Sequence, residues 1–433
     1  MARIKLAYIG GGSTRGAGTM ASLIHQGENF DGSEVVLIDL DAGRLDLVRR
    51  LAQRMANARG LDLTITATTD RRAGLTDCDA VLSSFRAGGF EARVLDERIP
   101  RSHGLIGQET QGAGGFFMAL RSIAVLQGVL ADIEQACPRA KVFNYTNPVN
   151  LIAEAVTHHS DVPFVSLCEG PIYFTDEIAA AAELERDKLT TLMVGLNHGC
   201  WSVEHAYDGG DAMPLIEAAW ERRKDDPALE PRQRRHLRLA AAMGAIPADY
   251  FQYYYFRDEV TAELAAKPTT RAEDILSWTP DYWTHYAEQA ETDDPQLDPA
   301  TSRGGIHELE LAIDVMDAVF NDKDEVLPVN VPNRGGALPG FPEDMVVELT
   351  GRCNRDFVQP IPAPPLPQHL RGLVESLGAY QAAAAEAAWS GNRRDAIRAL
   401  ASNPLVFTLD AAERVYDELA HAHRAHLPDR LLR

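Results

Sequence analysis

Two short stretches of this sequence end in side chains that are common metal ligands. The apolar run 165–167 is followed directly by Cys168 and Glu169, and a second apolar run, 192–194, leads to His198. A thiolate and a neutral imidazole are a borderline-soft pair, and two protein ligands leave positions open for water or substrate. Cys168 and His198 therefore predict a catalytic metal site. The alternative is that both are ordinary core residues, one a small buried thiol and the other a hydrogen-bonded imidazole.

A glycine-rich turn near the amino terminus predicts a dinucleotide site. The apolar segment 4–9 runs into Gly10-Gly11-Gly12-Ser13, and a second predicted strand, 35–38, ends in Asp39. Glycines let backbone N–H groups approach a pyrophosphate at a helix N-terminus, and an acid roughly 20 residues further on binds the adenosine ribose. We therefore predict that Gly10, Gly12, Ser13 and Asp39 bind NAD, although the third glycine of the fingerprint is out of register. A carboxylate at this position disfavours NADP because it repels the 2′-phosphate.

Predicted strands alternate with helices through the first part of the chain. Strand-like runs at 79–85, 141–145 and 164–167 are separated by amphipathic helical segments, including 118–135 and 151–158. This alternation predicts an α/β fold with a Rossmann-like, doubly wound parallel sheet, whose ligands gather at the carboxyl ends of the strands.

The alternation fades after about residue 200, which predicts a second, helix-rich α+β lobe. We place the NAD-binding domain at residues 1–196, and a substrate, metal and oligomerisation domain at 197–433. The charged run 221–226 is interpreted as a solvated loop. The proline-rich segment 359–367 is interpreted as a rigid spacer ahead of the terminal helices, with an SH3-type ligand as the alternative.

The composition narrows the class of protein. The chain has 433 residues, 45% of them hydrophobic, and a net charge of −21, which argues against binding to nucleic acid or to an anionic membrane. Its five cysteines form no CxxC pair, as is usual in a reducing compartment. No uninterrupted apolar stretch of about 18 residues is present, and no signal-peptide pattern opens the chain. We therefore expect a cytoplasmic protein.

Four further motifs carry polar or charged residues at predicted strand ends and turns. They are the arginine-bearing segment 85–93, the loop GQETQGAGG at 107–115, the turn NYTNP at 144–148 and the tyrosine-rich PADYFQYYY at 247–255. Each has a simpler interpretation, since glycine loops and Asn-Pro turns are often only turns and a tyrosine cluster is often packing.

Taken in order, these motifs resemble glycoside hydrolase family 4, the NAD- and divalent-metal-dependent glycosidases. The likeness runs from GGGST through GQETQGAGG, NYTNP, GLNH and PADYFQYYY to NRGGALPGFPEDMVVE. It implies the lactate/malate dehydrogenase-like fold, NAD and usually Mn²⁺ as cofactors, and a homodimer or homotetramer. The site residues that it implies are Cys168 and His198 as metal ligands, Tyr250 as general base, Glu109 beside that base, Glu169 as acid, and Arg93, Asn147 and Arg271 as contacts to the sugar or its phosphate.

The resemblance is nearest to the 6-phospho-β-glucosidase branch. It implies hydrolysis of O-glycosidic bonds by transient oxidation at C3, deprotonation at C2, elimination of the leaving group and addition of water, a scheme outside the usual pair of carboxylates. Glu169 departs from the family, which often has Asp at this position in phospho-α-glucosidases and Asn in phospho-β-glucosidases. Three alternatives remain: an α-linked, unphosphorylated or uronic-type substrate, a 2-hydroxy-acid dehydrogenase, and a non-catalytic regulator that binds sugar or NAD.

Overall fold

A computed structural model describes residues 1–302, 310–406 and 408–433. Within these ranges the strands form one 12-stranded sheet. The strands are β1 Lys5–Ile9, β2 Glu34–Ile38, β3 Thr64–Thr68, β4 Ala80–Ser83, β5 Lys141–Asn144, β6 Phe164–Ser166, β7 Leu189–Leu196, β8 Gly199–Tyr207, β9 Gly210–Asp211, β10 Glu325–Pro332, β11 Val346–Asn354 and β12 Phe357–Pro360.

Helices cover both faces of this sheet. They are α1 Thr14–His25, α2 Ala42–Ala58, α3 Arg71–Leu75, α4 Gly89–Ser102, α5 Gly112–Ala136, α6 Val149–His159, α7 Gly170–Ala182, α8 Met213–Arg223, α9 Pro231–Met243, α10 Gln252–Tyr255, α11 Arg257–Ala266, α12 Arg271–Gln289, α13 Glu310–Phe320, α14 Gln368–Trp389, α15 Arg393–Ala401 and α16 Leu409–Ala422.

Six parallel strands form the first half of the sheet, in the order β3-β2-β1-β4-β5-β6. This is the strand order of a doubly wound dinucleotide-binding fold, so the predicted fold class is confirmed. The order reverses between β1 and β4, and a crevice forms at such a switch point outside the carboxyl ends of the strands. Polar residues that follow β1, β4, β5 and β6 are therefore brought to one edge of the sheet.

The second half of the sheet continues beyond β6 as β10-β11-β7-β8-β9, and these strands pair antiparallel. Ser166 of β6 pairs with Asn330 of β10, and Glu348 of β11 pairs with Gly195 of β7. The predicted domain boundary at 196/197 falls in the two-residue turn between β7 and β8, inside this continuous sheet. The division into two domains stays a prediction.

Helix α5 lies in the core and begins earlier than the predicted segment 118–135. Its first turn packs closely against α4, where only glycine fits at position 114. A Cβ at Gly114 would lie 2.5 Å from the Asp96 carbonyl oxygen. Among the described residues α5 is the one helix long and apolar enough to cross a membrane, but most of it is buried inside the protein. It is therefore a helix of the protein core.

Several elements differ from their predicted form. Helix α1 begins at Thr14, directly after the glycine turn, and the first three residues of the predicted charged loop 221–226 belong to α8. Strands β3 and β8 to β12 were not predicted. The proline-rich segment does lead into α14. It is bound to the loop that contains Ala337, because Ala363 N–H donates to the Ala337 carbonyl at 2.8 Å.

Candidate active site

Cys168 and His198 meet at the edge of the sheet formed by the carboxyl ends of the parallel strands. This place is near the junction of the parallel and antiparallel halves. Cys168 follows β6, and His198 lies in the turn of the β7–β8 hairpin with a left-handed φ of 60°. The Cys168 Sγ to His198 Nε2 distance is 3.6 Å. Two residues 30 positions apart in the sequence are thus held with their ligand atoms facing each other.

This geometry fits one metal ion. Metal–sulfur and metal–nitrogen bonds of about 2.3 and 2.1 Å, at a tetrahedral angle, separate the two ligand atoms by about 3.6 Å. Among the described residues no cluster of three or more His, Cys, Asp and Glu side chains is placed to hold a metal. The pair would therefore leave several coordination positions open, as a catalytic metal requires.

Burial sets the protonation of both ligands. It lowers the pKa of His198 to about 4, so the imidazole is neutral at physiological pH and keeps a lone pair for a metal. Burial, together with the Glu348 carboxylate, raises the pKa of the Cys168 thiol to about 12. A metal that binds Cys168 as a thiolate must therefore displace its proton.

Tyr250 lies directly against this pair. Its ring stacks on the His198 imidazole, with centroids 3.7 Å apart and planes 6° from parallel. Burial raises the pKa of Tyr250 well above its usual value, and Tyr253, Cys168 and Glu109 act in the same direction, whereas Arg232 opposes them. In the metal-free protein Tyr250 is therefore a neutral phenol.

Glu109 belongs to a chain of alternating charges beside the site. Its carboxylate pairs with Arg86 at 2.5 Å and with Arg93 at 2.6 Å, and Arg93 also pairs with Glu97 at 2.6 Å. Burial acts to lower the pKa of Arg93, but the Glu109 and Glu97 carboxylates hold it above its usual value. Glu97 also accepts from the backbone N–H of Ala272, which ties α12 to α4 at 3.1 Å.

The other predicted site residues are distributed around this centre. Glu169 follows Cys168 directly and accepts a hydrogen bond from the Tyr145 hydroxyl at 3.4 Å. Asn147 is half-buried after β5, and its carbonyl accepts from Ser122 Oγ at 3.2 Å. Arg271 is exposed at the start of α12 with its guanidinium over the Trp278 ring. Arg271 thus contacts Trp278, whereas Tyr250 contacts the metal pair itself through its stack on His198.

The glycine turn is fastened to the end of β2. Gly10 N–H donates to the Ile38 carbonyl at 2.9 Å, and Gly12 N–H donates to Asp39 Oδ2 at 3.0 Å. Gly10 has a φ of 95°, and a Cβ there would lie 2.1 Å from the Ser84 carbonyl oxygen. The acid and the turn are thus adjacent, as a dinucleotide site requires.

The start of α1 is open to an anion. Ser13 caps the helix without a side-chain hydrogen bond to it, and no acid lies in the first turn. Ser13 Oγ is buried, and it has no hydrogen-bond partner in the part of the chain that the structure describes. These features fit a pyrophosphate, which helix N-termini bind through their N–H groups.

Gly16 does the work of the third glycine, which the sequence pattern placed out of register. A Cβ at Gly16 would lie 2.2 Å from the Gly11 carbonyl oxygen, so only glycine lets α1 approach the turn. We expect Gly16→Ala to destabilise the fold by about 1–3 kcal/mol through overpacking and to weaken NAD binding. Urea unfolding and NAD titration measure both effects. Gly372→Ala is the matched control because its Cβ would meet no atom within 4 Å, and equal behaviour of the two variants would contradict the assignment.

A buried carboxylate lies behind the metal pair. Glu348 Oε1 accepts from the side-chain amides of Asn197 and Asn330, each at 3.0 Å. Glu348 is 1% exposed, and burial raises the pKa of its carboxyl to about 7 although both amides oppose that shift. Since Asn197 adjoins His198 in the hairpin turn, this cluster fixes the turn to strands β10 and β11.

Glu348 should make folding stability depend on pH. Its folded pKa of about 7 exceeds the usual value of about 4.3, so the folded state binds the proton more tightly. The contribution is present at low pH and is lost as pH rises through about 7. We expect Glu348→Gln to remove up to about 1.4 kcal/mol per pH unit of this dependence. Urea unfolding of both proteins at about pH 5 and about pH 8 measures it, and a constant difference between them would contradict it.

Three residues that were not predicted as site residues hold the predicted ones in place by hydrogen bonds. Asn330 and Glu348 lie in strands that were not predicted, although Glu348 is part of the quoted motif NRGGALPGFPEDMVVE. Thr110 lies within the quoted loop GQETQGAGG, and its Oγ1 is 3.1 Å from His198 Nδ1. Two polar residues flanking Glu109 in that loop were the available signal.

Comparison with known proteins identifies the family. Residues 5–184 match the model of family 4 glycosyl hydrolase, and residues 193–406 match its C-terminal domain. The chain is 33% identical to a probable 6-phospho-beta-glucosidase of Bacillus subtilis, over 98% of this chain and 97% of that protein. It is 32% identical to a 6-phospho-beta-glucosidase of Escherichia coli, over 99% and 97%.

Solved structures show the same fold. A 6-phospho-alpha-glucosidase from gut microorganisms, in complex with NAD and Mn²⁺, superposes with a TM-score of 0.87 at 23% identity, covering 98% of this chain and 99% of that one. A Thermotoga maritima 6-phospho-beta glucosidase with manganese, NAD⁺ and glucose-6-phosphate gives 0.83 at 23% identity, with the same coverage. An Eimeria maxima lactate dehydrogenase superposes with a TM-score of 0.54 at 15% identity, covering 89% of this chain and 95% of that one. The chain therefore shares a broad fold class with these three structures. The chain is a glycosidase and belongs to glycosyl hydrolase family 4.

Proposed function

We propose that this enzyme hydrolyses 6-phospho-β-glucosides with the help of NAD and a divalent metal, normally Mn²⁺. The observation that carries the proposal is the group formed by Cys168, His198 and Tyr250, with its 3.6 Å ligand pair and its stacked phenol. The names of the Bacillus and Escherichia relatives support the phosphate and the β-linkage. The metal and NAD in the solved relatives support the cofactors.

The cofactors supply chemistry that this chain's side chains lack. NAD, when bound, would supply a hydride acceptor for C3 of the sugar, and a divalent metal held by Cys168 and His198 would supply a Lewis acid. Gly10, Gly12, Ser13 and Asp39 would hold NAD at the switch point of the sheet. An acid at Asp39 favours NAD over NADP.

Tyr250 is proposed as the base that removes the proton from C2. A neutral phenol is a poor base, and bringing a tyrosine from a pKa of about 10 to about 7 takes roughly 4 kcal/mol. Burial and Glu109 oppose that change, whereas Arg232 favours it. Positive charge at the Cys168–His198 pair, against which the Tyr250 ring is stacked, would favour the ionised form.

Glu169 is proposed as the acid that protonates the leaving group. Glu169 directly follows Cys168 and accepts a hydrogen bond from the Tyr145 hydroxyl. Its carboxyl group donates a proton to the leaving group only in its protonated form. Arg93, Asn147 and Arg271 are proposed to contact the sugar or its phosphate. Since Arg93 is already paired with Glu97 and Glu109, it would orient a sugar hydroxyl more readily than it would neutralise a phosphate.

Residues 1–196 are proposed as the NAD-binding domain and 197–433 as the substrate and oligomerisation domain of a cytoplasmic homodimer or homotetramer. Both would contribute to one site, because Cys168 belongs to the first and His198 and Tyr250 to the second. Size-exclusion chromatography with light scattering tests the oligomeric state.

The function is tested by incubating the enzyme with an aryl β-glucoside 6-phosphate, NAD and Mn²⁺ in D2O. We expect release of the aglycone with deuterium at C2 of the sugar, observed by NMR, because a proton removed at C2 exchanges with solvent. Release without deuterium would contradict the oxidation and elimination route. No release, with NAD and Mn²⁺ bound, would contradict the substrate.

An α-linked or unphosphorylated substrate is the second candidate. It is favoured by Glu169, which replaces the Asn expected of the β branch, and by the fold similarity to the 6-phospho-alpha-glucosidase. A panel of α- and β-linked aryl glucosides, with and without the 6-phosphate, separates the candidates by kcat/KM. Membership of glycosyl hydrolase family 4 argues against the 2-hydroxy-acid dehydrogenase alternative. The likeness to lactate dehydrogenase is one of fold.

A further inference from the structure

The two ring nitrogens of His198 face different partners. Nε2 lies 3.6 Å from Cys168 Sγ, on the proposed metal side. Nδ1 lies 3.1 Å from Thr110 Oγ1, on the opposite side. A neutral imidazole carries one proton, and only the nitrogen without it can bind a metal. The position of that proton therefore decides whether His198 is ready to bind.

Hydrogen bonds around Thr110 fix the direction of this contact. Gln108 Oε1 accepts from the backbone N–H groups of Thr110 at 2.6 Å and of Gln111 at 2.9 Å. Backbone N–H groups donate only, so this atom must be the carbonyl oxygen of the amide and not its nitrogen. Thr110 Oγ1 lies 3.1 Å from the same oxygen and must donate its proton there.

The hydroxyl proton of Thr110 is thus committed to Gln108, and Thr110 Oγ1 can only accept from His198. The His198 Nδ1 must then carry the imidazole proton, which leaves the lone pair on Nε2, facing Cys168. Stacking on Tyr250 fixes the plane of the ring, and His198 is 7% exposed, so the imidazole is restrained in both orientation and protonation.

We infer that Thr110, directed by Gln108, is a positioning residue that presets the tautomer of His198 for metal binding. The inference rests on the proposed metal site. Outer partners of metal-bound histidines raise affinity by about 10- to 100-fold. This role would also explain why two polar residues flank Glu109 in the loop before α5.

The test compares Thr110→Val, which keeps the shape and removes the hydroxyl, with Thr110→Ser, which keeps the hydroxyl. Thr284→Val is the control, since Thr284 is an exposed threonine of α12. In the metal-free full-length protein with ¹⁵N-labelled histidine, NMR should show Nδ1 protonated in the wild type, in Thr110→Ser and in Thr284→Val. Thr110→Val should lose that preference.

Mn²⁺ affinity, measured by electron paramagnetic resonance of the free ion, is the second readout. We expect Thr110→Val to bind about 10- to 100-fold more weakly than the wild type and Thr110→Ser to restore most of the affinity. Wild-type affinity in Thr110→Val, or a protonated Nε2 in the wild type, would overturn the inference and leave the proposed function standing. A wild-type protein that binds no Mn²⁺ would overturn the proposed metal site itself.

Discussion

Tyr250→Phe is expected to lower kcat by about 10²- to 10⁴-fold, the usual contribution of a general base. The phenylalanine ring keeps the stack on His198 and removes only the hydroxyl, so the fold and the metal pair should persist. Deuterium incorporation at C2 should fall with turnover, because both depend on the same proton transfer. Steady-state kinetics and NMR of the product in D2O measure the two effects.

Tyr255→Phe is the matched control for this prediction. Tyr255 belongs to the same tyrosine-rich segment, is 38% exposed and packs on Trp201 and Phe251. It should retain wild-type kcat, and Tyr250→Phe should retain NAD and Mn²⁺ affinities. Wild-type turnover in Tyr250→Phe would remove Tyr250 as the base.

Cys168→Ala should abolish activity by preventing metal binding. Losing a ligand should weaken Mn²⁺ binding by more than the about 10- to 100-fold typical of losing an outer partner. Isothermal titration with Mn²⁺ measures the loss. Cys137→Ala is the thiol-matched control, as Cys137 is a buried cysteine at the C-terminal end of α5. An equal loss in both variants would contradict the assignment.

The same titration carries a pH prediction. The Cys168 thiol, with a pKa of about 12, keeps its proton in the metal-free protein, whereas His198, with a pKa of about 4, has already lost its second proton. Binding to the thiolate should release one proton, so Mn²⁺ affinity should rise about tenfold per pH unit between about pH 6 and about pH 8. Affinity that is independent of pH would show that the thiol is not a ligand.

The parts of this molecule that local patterns encode could be predicted from the sequence. Five of the six parallel strands, all except β3, are short apolar runs bounded by turns, and their carboxyl ends must meet at one edge of the sheet. Cys168 follows such a run directly, and the apolar run before His198 belongs to a hairpin strand that reaches the same edge. The predicted strand ends thus placed both proposed ligands at this edge of the sheet, where the structure brings them together.

The parts that depend on distant partners could not be predicted. Strands β10 and β11 carry no signal for insertion between β6 and β7, because a strand's neighbours are set by the whole sheet. Glu348 is a carboxylate in an apolar strand until Asn197 and Asn330 are placed beside it. Thr110 is a loop residue until the hairpin turn brings His198 to its hydroxyl.

The pairing of β6 with β10 has a consequence for synthesis on the ribosome. Strand β6 ends the parallel half of the sheet, and its free side is covered only when Asn330 of β10 pairs with Ser166. Asn330 is synthesised more than 160 residues after Ser166. During that interval β6 presents unpaired N–H and C=O groups, the kind of edge on which nascent chains aggregate. Cys168 follows this strand and meets His198 only once β10 and β11 are in place, so metal loading should be a late event. A chaperone that shields this edge would raise the yield of active enzyme.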